Sequence, residues 1–340
     1  MKPVAALIIT IALHLCTPGL PAAGELVVNA VGDIMLAGRW TPVLKQKGFD
    51  YPFGDTLAEL ATGDINLANL EAPIACGGRE FTSKKYRFRA DPDLAPALRK
   101  AGFHLVTLSN NHSMDFGAEA LLETMQHLGK AGMDWIGAGK NLSEARTAVI
   151  YTVHGKRIAF LGYSLTQPAE FFAGPQRPGT APGLERFYAA DIARVRNQAD
   201  FVIVTFHWGT EGSPRARPHQ RAAAHRAIDA GADAVIGHHP HVLQGIERYR
   251  KGIIFYSLGN FAFASASRTA RFGALVRLHL NDAGRQAEIV PLDVLFSRVR
   301  FRPRVLSGDR AESVVKTLND LSKPFETVIQ NQGGRYLIDF

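Results

Sequence analysis

Short apolar runs alternate with amphipathic stretches along most of the chain. Leu26–Val31, Ile65–Leu70, Phe103–Leu108, Ile158–Tyr163, Phe201–Phe206, Ala234–Ile236 and Ile253–Ser257 read as buried strands. Between them, Leu94–Ala101, Ala118–Gly129, Asp191–Gln198 and Gln220–Ala230 read as helices. In Ala118–Gly129, Leu121, Leu122, Met125 and Leu128 recur at helical spacing before a terminating Gly129. This alternation predicts an α/β fold with both sheet faces covered. Further on, Gly273–Leu280 and Ala287–Phe296, joined at residues 281–284, predict a β-hairpin, and Glu312–Leu321 a short helix. The Gly/Pro-rich stretch Ala173–Gly183 reads as a mobile surface loop. Without an internal repeat or a compositional linker, one domain is the simpler organisation.

The N-terminus departs from this pattern. One Lys precedes an apolar run from Val4 to Leu15, then a Pro/Gly break and small residues at Ala22, Ala23 and Gly24. That is the layout of a secretory signal peptide over residues 1–23, and the run is too short to span a bilayer. The expected mature chain, 24–340, is exported and soluble, and periplasmic where there are two membranes. Leu13-His14-Leu15 makes a poor lipidation signal before Cys16, and cleavage leaves Cys76 alone, so no intramolecular disulfide is expected.

Composition narrows the classes. At 340 residues, 46% hydrophobic and 21% charged, the chain is globular rather than disordered. Lys+Arg 39 against Asp+Glu 31 gives a formal +8, which favours an anionic partner. Export argues against nucleic acid. The excess is clustered: Arg79–Lys100 holds seven Lys/Arg against three Asp/Glu, and Arg215, Arg217, Arg221 and Arg226 form a second group. Either could rim a cleft or be a solvated face. Arg298, Arg300, Arg302 and Arg304 alternate strictly; in an extended segment all four share one face, a docking strip for an acidic polymer or a guard on an edge strand.

Chemistry concentrates where strands end. Five predicted strands finish on residues able to bind a metal: Asp33, Glu71, Asn111, His207 and the pair His239/His241. In open α/β sheets the crevice at the carboxyl strand ends is where ligands bind. Carboxylate, amide oxygen and imidazole together suit one divalent cation, or two bridged by a carboxylate. Taken singly, Gly32-Asp33 could be a turn, Asn110-Asn111-His112 a helix cap, and His207-Trp208 a core aromatic pair. Gly237-His238-His239-Pro240-His241 has little packing value and is the strongest metal-binding tract. Gly63-Asp64 starts its strand and would face the opposite sheet edge, so it is given a turn role.

Six ordered motifs carry a resemblance: Gly32-Asp33-Ile34-Met35; Asn69-Leu70-Glu71; Asn110-Asn111-His112 with Asp115 and Gly117; His207-Trp208-Gly209 with Glu211; Gly237-His238-His239-Pro240-His241; and Ser257-Leu258-Gly259-Asn260-Phe261. With connecting segments such as Tyr86-Arg87-Phe88-Arg89-Ala90, they resemble the CapA family of poly-γ-glutamate capsule-synthesis proteins, from about Leu26 to Phe261. That family in turn resembles calcineurin-like metallophosphoesterases. The resemblance implies a four-layer α-β-β-α sandwich for the motif-bearing core, and the hairpin and short helix read from the pattern lie in a C-terminal extension, residues 262–340, beyond it.

It also implies a metal set of Asp33, Glu71, Asn111, His207, His239 and His241, holding one or two ions of Mn, Zn, Fe or Mg. His112 is then the catalytic imidazole, with Asn69, Asn110, Glu211, His238 and Asn260 as supporting or substrate residues. Met35 stands where metallophosphoesterases carry a histidine, and a thioether is a weak ligand for a hard cation. Glu71 stands for the bridging aspartate. The implied function is a metal-dependent, phosphoesterase-like hydrolase in capsule or exopolymer synthesis. It would act on an anionic polymer or phosphate-bearing substrate, beside a membrane-bound synthase or export complex. The alternative is a non-catalytic accessory protein that binds an anionic polymer.

Overall fold

Strand Phe201–His207 shows how the sequence builds the layers. Phe201 and Ile203 enter one apolar cluster, while Val202, Val204 and Phe206 enter another, as side chains alternating across a strand must. A computed structural model describes residues 24–281 and 284–340; the expected signal peptide, 1–23, lies outside the described residues.

Two mixed sheets form the centre. In the ten-stranded sheet, Leu26–Met35, Ile65–Leu70, Leu105–Thr107 and Asp134–Ile136 run parallel. The six-stranded sheet has a parallel core of Lys156–Ser164, Phe201–His207, Ala234–His238 and Gly252–Phe255, with antiparallel Val149–Val153 and Ile246–Tyr249 at its edges.

Three apolar cores separate four layers. Leu67, Leu105, Ile203 and Ile236 meet between the sheets. Leu98, Leu121, Met125 and Leu128, from helices Leu94–Lys100 and Gly117–Lys130, cover the outer face of the larger sheet. Ile192, Ala224 and Ala227, from helices Glu185–Arg196 and Pro218–Asp229, cover the smaller one. This is the expected α-β-β-α sandwich.

The C-terminal hairpin is integral to it. Phe272–Leu280 pairs antiparallel with the first strand (Val28 with Leu278), and Arg285–Asp293 and Arg335–Asp339 continue outward from it. Helix Gly308–Ser322 lays Ala311, Val314, Val315 and Leu318 into the inter-sheet core.

Two expectations fail. The arginines at 298–304 do not share one extended face. Phe296–Val299 is a helical turn, Arg298 is drawn to Asp293 at 2.7 Å, and Arg302 to Asp55 at 2.6 Å; local ion pairing overrides the alternation. Nor is Ala173–Gly183 a surface loop throughout. Gly179–Thr180 pairs with Ala138–Gly139, and Ala173, Thr180 and Ala181 are buried. The glycine is needed there for close packing, since a Cβ at Gly179 would sit 2.5 Å from the Ala173 nitrogen.

Candidate metal centre

The site begins with a break in register. Ala30 pairs with Leu67, but the next pair is Asp33 with Asn69, so the first strand carries one extra residue. An extra residue reverses which face the following side chains take. Leu26, Val28 and Ala30 face the second sheet before the bulge; Ile34 faces the helices after it. Asp33 is thereby turned toward the inter-sheet space. At the same place the backbone meets another strand: Asp33 N donates to Gly259 O at 3.1 Å, and a Cβ on Gly32 would lie 2.0 Å from that oxygen. Only glycine permits this approach, which sets Asn260 beside Asp33.

Around Asp33 the other candidates converge. Asn69 Nδ2 donates to Asp33 Oδ1 at 2.8 Å and Glu71 Oε2 at 3.2 Å, cross-linking two fully buried carboxylates. His241 Nδ1 lies 3.0 Å from Asp33 Oδ2 and 2.9 Å from Asn260 Oδ1. His207 Nε2 is 2.8 Å from Asn111 Oδ1 and 3.7 Å from Glu71 Oε1, and His241 Nε2 is 3.6 Å from the same Glu71 oxygen. The His207 and His239 rings are 4.8 Å apart.

His239 and His241 both take left-handed backbone conformations, φ 96° and 57°, of the kind that clusters at functional sites. His238 Nδ1 sits 3.2 Å from Asp33 Oδ1. Asn110 accepts from the His112 amide and donates to Asn69 Oδ1; its hydrogen bonds brace the site from within. Exposed Glu211 closes one side with His239 and His241.

The titration behaviour follows from packing cations and anions without water. Burial would raise the Asp33 carboxyl, but the His238 and His241 rings beside it hold it well below the usual range. Burial pushes Glu71 well above it. Burial, with His241 nearby, pulls His239 down to about 3. Burial also pulls His207 well down. His241 goes the other way: against burial, Glu71 and Asp33 push it up to about 10.

The donor set fits a cation. Glu71 Oε1 and His239 Nδ1 are buried without a hydrogen-bond partner, which is costly unless something else binds them. Ligating atoms of Glu71, His207 and His239, of Glu211, His239 and His241, and of Asp33, Glu71 and His241 lie within 4.8 Å of one another in each set. Donors at about 2.1 Å from one ion are separated by distances of this order. The Asn69 bonds hold one oxygen of each carboxylate, the kind of support that orients metal ligands.

Residues 27–265 match the family model described as bacterial capsule synthesis protein PGA_cap. The chain belongs to that family. It is 34% identical over 278 residues to the capsule biosynthesis protein CapA of Bacillus anthracis, covering 79% of this chain and 68% of that one. It is 34% identical over 284 residues to the PGA biosynthesis protein CapA of Bacillus subtilis (82% and 74%). It is also 34% identical over 258 residues to a probable polyglutamine synthesis accessory protein of Mycobacterium tuberculosis (72% and 68%).

Within this family member, Met35 is no ligand: it is 1% exposed and lies in the apolar cluster under the helices. His112 stands beside the cluster. Its Nδ1 is 2.6 Å from Asp115 Oδ2, and the Phe88 ring lies 4.8 Å away. Burial lowers its basicity, opposed by Asp115.

The residue that sequence reasoning missed is Lys84. Its ammonium reaches Asp115 Oδ1 at 2.6 Å, His112 Nδ1 at 3.1 Å and the Asn111 carbonyl. The only signal was its place in the basic stretch Arg79–Lys100. In the second basic group, Arg226 pairs with Glu185 at 3.0 Å and Arg221 lies over Phe325, so those two are engaged elsewhere. Asp64 accepts from Val27 N at 2.8 Å, a structural role.

Proposed function

We propose that this chain is an exported protein of capsule or exopolymer biosynthesis, carrying a metal-dependent, phosphoesterase-like hydrolytic centre. The observation that carries the reading is the convergence of donors from Asp33, Glu71, His207, His239 and His241, among which Glu71 and His239 each keep a buried atom without a hydrogen-bond partner. Asp33, Glu71, Asn111, His207, His239 and His241 would hold one or two divalent cations. Oxygen and imidazole donors suit Mn, Zn, Fe or Mg. A cation bound there supplies Lewis acidity toward a phosphoryl or carbonyl oxygen.

The chain's own residues supply the rest. Asn69 fixes the carboxylates. Asp115 holds His112 by Nδ1, which leaves the Nε2 lone pair free to take up a proton. Hydrolysis forms a bond from the water oxygen to the electrophilic atom, breaks the bond to the departing oxygen and moves a proton from the water to that oxygen; His112 is placed to relay it, taking it at Nε2 and giving it up again. The substrate is an anionic polymer or a phosphate-bearing precursor, and a membrane-bound polymer synthase or export complex is the partner. Among the described residues no helix is long and apolar enough to cross a membrane.

The test is the metal content of purified mature protein, then hydrolysis of bis(p-nitrophenyl) phosphate with added Mn²⁺ or Zn²⁺. Turnover that disappears in Asp33→Asn is the expected result. A second reading is a polymer-binding accessory protein. Its support is Met35, which leaves the site one imidazole short, and the word "accessory" in the name of the Mycobacterium tuberculosis relative. Metal binding without turnover would select it.

A further inference from the structure

The segment covering His112 contains a buried ion pair that packing does not require. Asp115 is wholly buried and takes three donors: Lys84 Nζ on Oδ1, and the Phe88 amide (2.8 Å) and His112 Nδ1 (2.6 Å) on Oδ2. The Lys84 side chain is only 15% exposed and its ammonium also binds the Asn111 carbonyl. Removing two such charges from water is expensive, and apolar side chains of similar volume often serve stability as well or better. The pair therefore needs another account.

Geometry supplies one. His112 Nδ1 lies 2.6 Å from Asp115 Oδ2 and 3.1 Å from Lys84 Nζ; the shorter contact places the ring proton on Nδ1, because a carboxylate accepts, and the ammonium has Asp115 Oδ1 and the Asn111 carbonyl to donate to instead. Nε2 then carries the lone pair. This arrangement persists only while the carboxylate stays oriented with one oxygen against the ring. Lys84 occupies Oδ1 and ties the same carboxylate to the Asn111 main chain.

We propose that Lys84 is a positioning residue for His112. By saturating Asp115 Oδ1 and pinning the Asn111 carbonyl, it leaves Oδ2 to hold the imidazole in a single tautomer with Nε2 available for proton transfer. The inference rests on the hydrolase reading for its catalytic consequence, but not for the tautomer itself.

Two measurements test it. In ¹⁵N–¹H long-range spectra of metal-free protein, His112 shows one Nδ1–H tautomer in the wild type and a mixture in Lys84→Met. With bis(p-nitrophenyl) phosphate and Mn²⁺, Lys84→Met lowers kcat by about 10- to 100-fold, the range for outer partners that orient the residues of a metal site. KM is unchanged, and Lys84→Arg recovers part of kcat. Lys84→Gln, one atom shorter and uncharged but still polar, replaces Lys84→Met if that variant does not fold. Unaltered His112 signals in the variant overturn the inference whatever happens to turnover. Absence of turnover in the wild type removes the hydrolase reading alone, since the tautomer measurement still decides the role of Lys84.

Discussion

If His239 is a metal ligand, its loss should be felt only when metal is present. It belongs to two of the three sets of converging ligand atoms, so His239→Ala removes a donor shared between neighbouring positions. A ligand that binds only the folded state at 100 times its Kd stabilises by about 2.7 kcal/mol. Unfolding entropy near 60 °C is about 2.1 cal/mol/K per residue. Over the roughly 315 described residues that is about 0.66 kcal/mol/K, so saturating Mn²⁺ should raise the wild-type Tm by about 4 °C over an EDTA control. The variant should gain less than about 1 °C on the same scale. In EDTA the order should not favour the wild type, because an imidazole nitrogen buried without a partner adds nothing to stability. Differential scanning calorimetry with and without metal reads both arms. A wild type unmoved by millimolar Mn²⁺ and Zn²⁺, or a variant that shifts as far as the wild type, refutes the reasoning. A variant destabilised equally with and without metal would make His239 a packing residue.

Two further outcomes follow from the same structure. Gly32→Ala forces a Cβ to within 2.0 Å of the Gly259 oxygen, a clash between backbones of two paired strands that cannot be relieved by a rotamer change; urea denaturation should show a loss of about 3 kcal/mol, together with loss of the metal-induced Tm shift. Glu288 sits among Arg277 (2.9 Å), Arg335 (2.9 Å) and His279 (3.5 Å); burial would raise its carboxyl, but bonds from His279 and Arg335 and the charge of Arg277 hold it well below the usual range. A carboxyl depressed in the folded state adds stability above its unfolded value of about 4.3 and loses it as pH falls toward the folded one. Glu288→Gln should therefore be less stable than the wild type by about 3 kcal/mol at pH 7, with the gap closing as pH falls below about 4. Urea midpoints at several pH values measure it, and a gap that stays constant into acid removes the linkage.

The layers of this fold were legible because periodicity survives translation into structure. Alternation in Phe201–His207 separates two cores, as expected of a strand covered on both faces. The convergence of Asp33, Glu71, Asn111, His207, His239 and His241 was legible from residue type at strand ends, and the structure brings all six together. What could not be read was anything set by register or by distant chain. Local pattern cannot announce that Asp293 and Asp55 will capture Arg298 and Arg302, or that the hairpin at 272–293 will pair with the first strand. Lys84 reaches Asp115 across 31 positions, and a lysine in a basic stretch carries no mark of such a destination.

Asp33 sharpens the point. Extended without interruption, the alternation that sends Leu26, Val28 and Ala30 toward the second sheet would put residue 33 with Val31, under the helices. The bulge between Ala30 and Asp33 reverses this, and Gly32 permits it by meeting Gly259 without a side chain. Residue type was thus a better guide to Asp33 than its position in the repeat. A carboxylate is expensive to bury among helix side chains, so the register that turns it toward the imidazoles is the one the folded chain can hold. The chemistry of the site and the irregularity of the strand are then one requirement, and Gly32→Ala tests both at once.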